Sequence, residues 1–114
     1  MHPHEASATL GGSPLVWVGL GLLMAVIGVP LLLRKIKPNG LYGFRTARTL
    51  ADPRIWFEVN AVLGRDLIVL GAALVATTLV FWVAGAADHG VLLGLFLIGL
   101  AASTLHGWLV LRRL

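Results

Sequence analysis

The 114-residue sequence contains no cysteine, which excludes disulfides, thiolate metal sites and a cysteine nucleophile. Charge is also scarce. Asp, Glu, Lys and Arg make up 12% of the chain, against about a quarter in ordinary soluble domains. Acidic residues are the scarcest, five against nine basic ones. With 58% hydrophobic residues and a mean hydropathy of +0.90, the chain carries more apolar surface than a core of this size can hide. A water-soluble domain is therefore excluded, and the economical reading is a single membrane domain over residues 1–114.

Three uncharged apolar runs organise the chain: Leu15 to Leu33, Leu67 to Ala87, and Val91 to Leu111. At about 1.5 Å per residue each spans a hydrocarbon core of roughly 30 Å. None shows the alternation of a barrel strand, and three strands cannot close a barrel. The fold class expected is all-α: an integral membrane protein with three transmembrane helices. A cleaved signal peptide competes for the first run, but no basic segment precedes it and its length exceeds the usual apolar stretch. Ser13-Pro14 and Asp52-Pro53 each offer an N-cap followed by proline at the first helical position. Pro30 removes one backbone bond late in the first helix and predicts a bend. Asp88-His89-Gly90 leaves only a tight turn between the second and third spans, so these two form an antiparallel hairpin.

All nine cations, Arg34, Lys35, Lys37, Arg45, Arg48, Arg54, Arg65, Arg112 and Arg113, fall in the long loop 34–66 or after the third span. The positive-inside rule then places the loop and the carboxyl terminus in the cytoplasm and the amino terminus outside. This asymmetry accounts for the pI near 10.8 without nucleic acid as a partner. The lipid bilayer is the partner implied.

Within the loop, Lys37 to Thr46 mixes turn formers with aromatics, which predicts an ordered segment. A phosphate cradle is a poor match, because the Walker spacing and its lysine are missing. From Pro53 to Leu63 the spacing predicts an amphipathic helix in the membrane interface, with Ile55, Trp56, Val59, Val62 and Leu63 on its apolar face. Arg54 and Glu58 would pair at i, i+4.

The run Pro38-Asn39, Tyr42-Gly43, Arg45-Thr46, Thr49-Leu50, Trp56, Asn60 and Gly64-Arg65, flanked by apolar spans, resembles the signature of the SdpI family, over roughly Ile27 to Gly71. These are bacterial multipass membrane proteins named for immunity against a secreted, sporulation-delaying peptide toxin. The resemblance implies immunity to a membrane-active peptide and, as in the founding member, signalling by holding a regulator at the membrane. The chain matches a short form, with the three-helix signature module and without the additional amino-terminal module of longer members.

Asn39, Tyr42, Gly43, Arg45, Thr46, Arg48, Trp56, Asn60 and Arg65 are the candidate ligand- or partner-binding residues. In one reading Arg45, with Asn39, Tyr42, Trp56 and Asn60, lines a cytoplasm-facing pocket for an anionic headgroup, a peptide carboxylate or a partner segment. In the other, the same residues fold the loop onto the bilayer. His106 is the ionisable side chain well inside a span, a position that marks functional candidates; a bond to Ser103 or to a carbonyl would satisfy it locally. A Ser103-His106-Asp66 hydrolase lacks both a strained nucleophile turn and an oxyanion site, so no enzymatic activity is expected. Gly99, Ser103 and Gly107 form a small-residue stripe for helix packing or for a homo-oligomer. His2, His4 and Glu5 are a weak metal set on a terminus expected to fray, and no metal or cofactor is expected. Two function classes follow: a binding and protection protein, which captures a toxin peptide, a lipid or a regulator, and a small transporter or channel component. The sparse polar residues in the spans favour the first.

Overall fold

The computed structural model describes residues 13–114, so His2, His4 and Glu5 lie outside the described residues. Among the described residues four helices follow one another: α1 (Leu15–Leu32), α2 (Ala47–Ala51), α3 (Pro53–Val83) and α4 (His89–Arg113). Of these, α1, α3 and α4 are long and apolar enough to cross a membrane, and no strand occurs among the described residues. Outward-facing side chains such as Val26, Val83 and Ile98 are 66%, 91% and 68% exposed. Such a surface is stable only against lipid.

The α1–α3 contact is made backbone against backbone. A Cβ placed on Gly21 would lie 2.6 Å from the Gly71 carbonyl oxygen, and one on Gly28 would lie 2.5 Å from that of Gly64. The reciprocal positions are as tight: Gly71 meets Gly21 O at 2.3 Å, and Gly64 meets Gly28 O at 2.5 Å. In each helix the two glycines stand seven residues apart, close to two turns, so they share a face. The pairs fix an antiparallel register. Met24 and Leu31 of α1 fill the spaces between them with Leu67 and Leu74 of α3. In lipid no hydrophobic force draws helices together, so close van der Waals approach of this kind is what holds them.

The helix ends are chemically specified. α1 finishes in a Schellman arrangement: Lys35 N–H donates to Pro30 O and Arg34 N–H to Leu31 O, with Arg34 in the left-handed region at φ 61°. α3 ends the same way at Gly85, φ 71°, with Ala86 N–H bound to Phe81 O. Asp52 and Asp88 cap α3 and α4, accepting from Arg54 N–H and Val91 N–H. Pro14, not Ser13, holds the N-cap position of α1, and Ser13 Oγ accepts from Leu15 N–H at 3.2 Å.

Three further expectations about the fold change. The segment 53–63 is helical but is not a separate interfacial element; it runs without a break into the second span as one helix of 31 residues, about 46 Å long. Its first turns therefore stand clear of the hydrocarbon core. The loop also contains an unexpected helix, α2, started by a reciprocal Thr46–Thr49 capping box. Finally, Glu58 pairs with Arg34 at 3.3 Å and not with Arg54, because the end of α1 brings that guanidinium alongside α3.

Because Cβ atoms at Gly64 would meet backbone, which cannot rotate away, Gly64→Val should separate α1 from α3 and cost about 1–3 kcal/mol or more. Gly19 has nothing within 4 Å, so Gly19→Ala should leave the thermal midpoint in detergent near the parent value. Equal melting of the two variants would refute the glycine contact.

Candidate functional site

The site is built on the part of α3 that projects beyond the span. Trp56 is 0% exposed, and its indole N–H donates to Ile36 O at 2.7 Å, which pins the start of the loop. One turn on, the buried Asn60 carries out three bonds. Its Nδ2 donates to Trp56 O at 3.0 Å and to Phe44 O at 3.4 Å, while its Oδ1 accepts the Phe44 N–H. An amide side chain thus pairs with the loop backbone much as a neighbouring strand would.

Gly43 makes that approach possible. Its φ is 109°, and a Cβ there would lie 2.6 Å from Asn60 Oδ1 and 3.1 Å from Trp56 Cη2. Asn39 shapes the preceding turn: Oδ1 accepts from Leu41 and Tyr42 N–H, and Nδ2 donates to Lys37 O and Tyr42 O. The Tyr42 hydroxyl donates to Ile27 O on α1, and the Arg45 guanidinium donates to Gly40 O. Burial pushes the Tyr42 phenol above its ordinary value, which keeps it a donor. Thr46 caps α2, and Arg48 donates to Leu111 O at 2.9 Å near the end of α4, where a cation also suits the helix dipole. The Phe44 ring sits against Gly107, whose missing side chain leaves it room.

Of the nine candidate positions, eight therefore belong to one network that straps the loop across α1, α3 and α4. Their polar atoms are largely spent on loop and helix backbone. Arg65 stands apart, on the adjoining turn of α3 beside Asp66. The exposed charges left on this end of the molecule are mainly cationic: Lys35, Lys37, Arg45, Arg54, Arg112 and Arg113. A shallow cleft there is lined by Arg54, Ile55 and Glu58 of α3 with Arg113 and Leu114.

His106 has a different partner from the one expected. Its Nδ1 lies 2.6 Å from Asp66 Oδ2, across the α3–α4 contact, whereas Ser103 Oγ is buried with no hydrogen-bond partner. Ser103, His106 and Asp66 thus come near one another without forming a nucleophile–base hydrogen bond. Asp66 ended the loop in the sequence, and only the continuity of α3 shows that it faces α4. The small-residue stripe does pack, but it receives side chains: Gly99 faces Leu70 and Gly107 faces Phe44. Among the described residues no group of three His, Asp or Glu side chains gathers to hold a metal.

The family model for the SdpI/YfhL protein family matches residues 35–107, more than half of the chain. That stretch takes in the loop, α2, all of α3 and most of α4. No curated protein and no solved structure matches the chain.

Trp56→Ala should loosen the whole strap at a cost of about 3–5 kcal/mol, and Asn60→Ala about 2–4 kcal/mol, since it orphans the Phe44 amide and carbonyl. Limited tryptic proteolysis after Lys35 and Arg45 reads this directly, with faster cleavage expected in both variants. With Trp17, Trp82 and Trp108 replaced by Phe, the remaining Trp56 should emit at short wavelength and resist acrylamide. Emission typical of a water-exposed indole would refute the docking.

Proposed function

The chain belongs to the SdpI/YfhL protein family, and we propose that it is a non-enzymatic binding and protection protein of the cell membrane. In this reading the strapped loop is a cytoplasmic platform that engages a membrane-active peptide or a regulatory protein, giving toxin immunity or signalling. The observation that carries it is the order of the loop. A segment needed only to set topology requires cations at its ends, and neither a buried tryptophan nor an asparagine spent on loop backbone. A fixed backbone holds Arg45, Arg54 and Lys37 in place, which lowers the ordering cost of binding. Positive charge on that face also speeds encounter with anionic partners.

The interior supports a binding role over transport. Thr78 and Thr104 hydroxyls donate to carbonyls of their own helices, Leu74 O and Leu100 O, so they present no chain of free polar groups across the span.

Two measurements test the proposal. Because the chain has no cysteine, a single Lys37→Cys variant reports orientation: an impermeant maleimide should label it only after cells are permeabilised. Cells expressing the protein should survive a membrane-active peptide at several-fold higher dose than cells without it. Arg45→Ala should reduce that protection more than Lys37→Ala, since Arg45 also holds the Gly40 carbonyl while Lys37 extends into solvent. Labelling of intact cells, or interchangeable effects of the two substitutions, would contradict the platform.

A further inference from the structure

The groove between α3 and α4 is separate from the strap and grades from polar to apolar along its length. At the loop end it is lined by Arg65, Asp66, Ser103 and His106. Leu70 and Gly99 line both this stretch and the next, which continues past Ala73 and Phe96 to Thr77. From Asp66 to Thr77 the helix rises about 16 Å, close to half of a hydrocarbon core of roughly 30 Å. An acyl chain has that reach.

The polar end is incompletely satisfied in a way that fits a phospholipid. Arg65 makes an ion pair to Asp66 Oδ1 that is long, at 3.9 Å, and its side chain is 60% exposed. Its planar donor fork is therefore open to a phosphate. Asp66 Oδ2 lies 2.6 Å from His106 Nδ1 while Oδ1 faces Arg65, so both carboxylate oxygens already have a partner. Ser103 is 6% exposed and its hydroxyl is unpartnered, unlike Thr78 and Thr104, which bond within their own helices. An unmade hydrogen bond in a lipid setting is costly. Rotation about χ1, open to an unbranched serine, turns the hydroxyl toward the groove that Ser103 lines. It stands about one helical turn, ~5 Å, deeper than His106, which is where the ester carbonyl of a glycerolipid falls below its phosphate.

We propose that this groove holds one glycerophospholipid, with its phosphate on Arg65, an ester carbonyl on Ser103, and one acyl chain along Leu70, Gly99 and Phe96. The site does not depend on the role of the strapped loop. The full chain in detergent, with palmitoyl-oleoyl phosphatidylglycerol added, should retain one lipid by native mass spectrometry. Arg65→Gln should lower the retained fraction about tenfold, with partial recovery in Arg65→Lys. Ala102→Trp, which fills the groove from its rim, should do the same, and Lys35→Gln, at an exposed cation away from the groove, should change nothing. Diacylglycerol with the same chains should be held about tenfold less well. Circular dichroism confirms matched helix content before any comparison. Unchanged retention in both Arg65→Gln and Ala102→Trp would overturn the proposal, as would equal retention of diacylglycerol. Displacement of the lipid by millimolar inorganic phosphate would assign the site to free phosphate, and a dimer that excludes lipid would assign the groove to a second copy; either result also overturns it.

Discussion

Two backbone contacts, Gly21 on Gly71 and Gly28 on Gly64, are the constraint on which the rest of the structure depends. They bring α1 and α3 close enough for the end of α1 to meet the projecting turns of α3. That proximity delivers Arg34 to Glu58, Ile36 O to the Trp56 indole, and Ile27 O to the Tyr42 hydroxyl. Were the two helices a side chain further apart, none of these bonds would span the gap. Bilayer packing thus determines a fold in the part of the molecule that leaves the bilayer.

The loop answers with its own chemistry. A connection of this length ordinarily leaves many backbone groups to water. Here Asn39, Asn60 and the Thr46–Thr49 pair take over much of that accounting, and Gly43 supplies the one conformation that lets the chain lie against Asn60. Each of these residues does a different task, so their effects on the strap should not be interchangeable. Lys37, Arg54, Arg112 and Arg113 ride on that scaffold, whereas Arg45 and Arg48 help to hold it through Gly40 O and Leu111 O.

Much of this was legible in the sequence. Uninterrupted apolar runs name their own spans, and the aromatics and turn formers of residues 37–46 announce an ordered segment. Trp56 and Asn60 were readable as candidate residues beside Arg45, although the spacing puts Trp56 on the apolar face of an interfacial helix and leaves Asn60 off that face. What was not legible depends on pairing between helices. The glycines at 21, 28, 64 and 71 acquire meaning only once α1 is known to lie against α3, and their seven-residue spacing differs from the four-residue stripe at 99, 103 and 107 that draws the eye. The same gap hid Arg34–Glu58, where a local i, i+4 partner for Glu58 was available and lost to a tertiary one. His106 was visible as an intramembrane ionisable group, but Asp66 precedes the uncharged run of the second span, and only the continuity of α3 through residue 66 brings it against α4. α2 was missed because its cap uses threonine where a glutamate or glutamine is more usual.

The central claim is that helix packing in the membrane holds a folded strap outside it. Hydrogen exchange at the Phe44 amide, followed by NMR on the full chain in lipid nanodiscs, tests this most directly, because that N–H is bonded by Asn60 and by no element of regular structure. The account expects exchange slowed by at least about a hundredfold relative to an unstructured amide, the protection that roughly 3 kcal/mol of local stability gives, and most of that protection lost in Gly64→Val. Free exchange of the Phe44 amide in the unmodified protein, or full protection after α1 and α3 are forced apart, would contradict it.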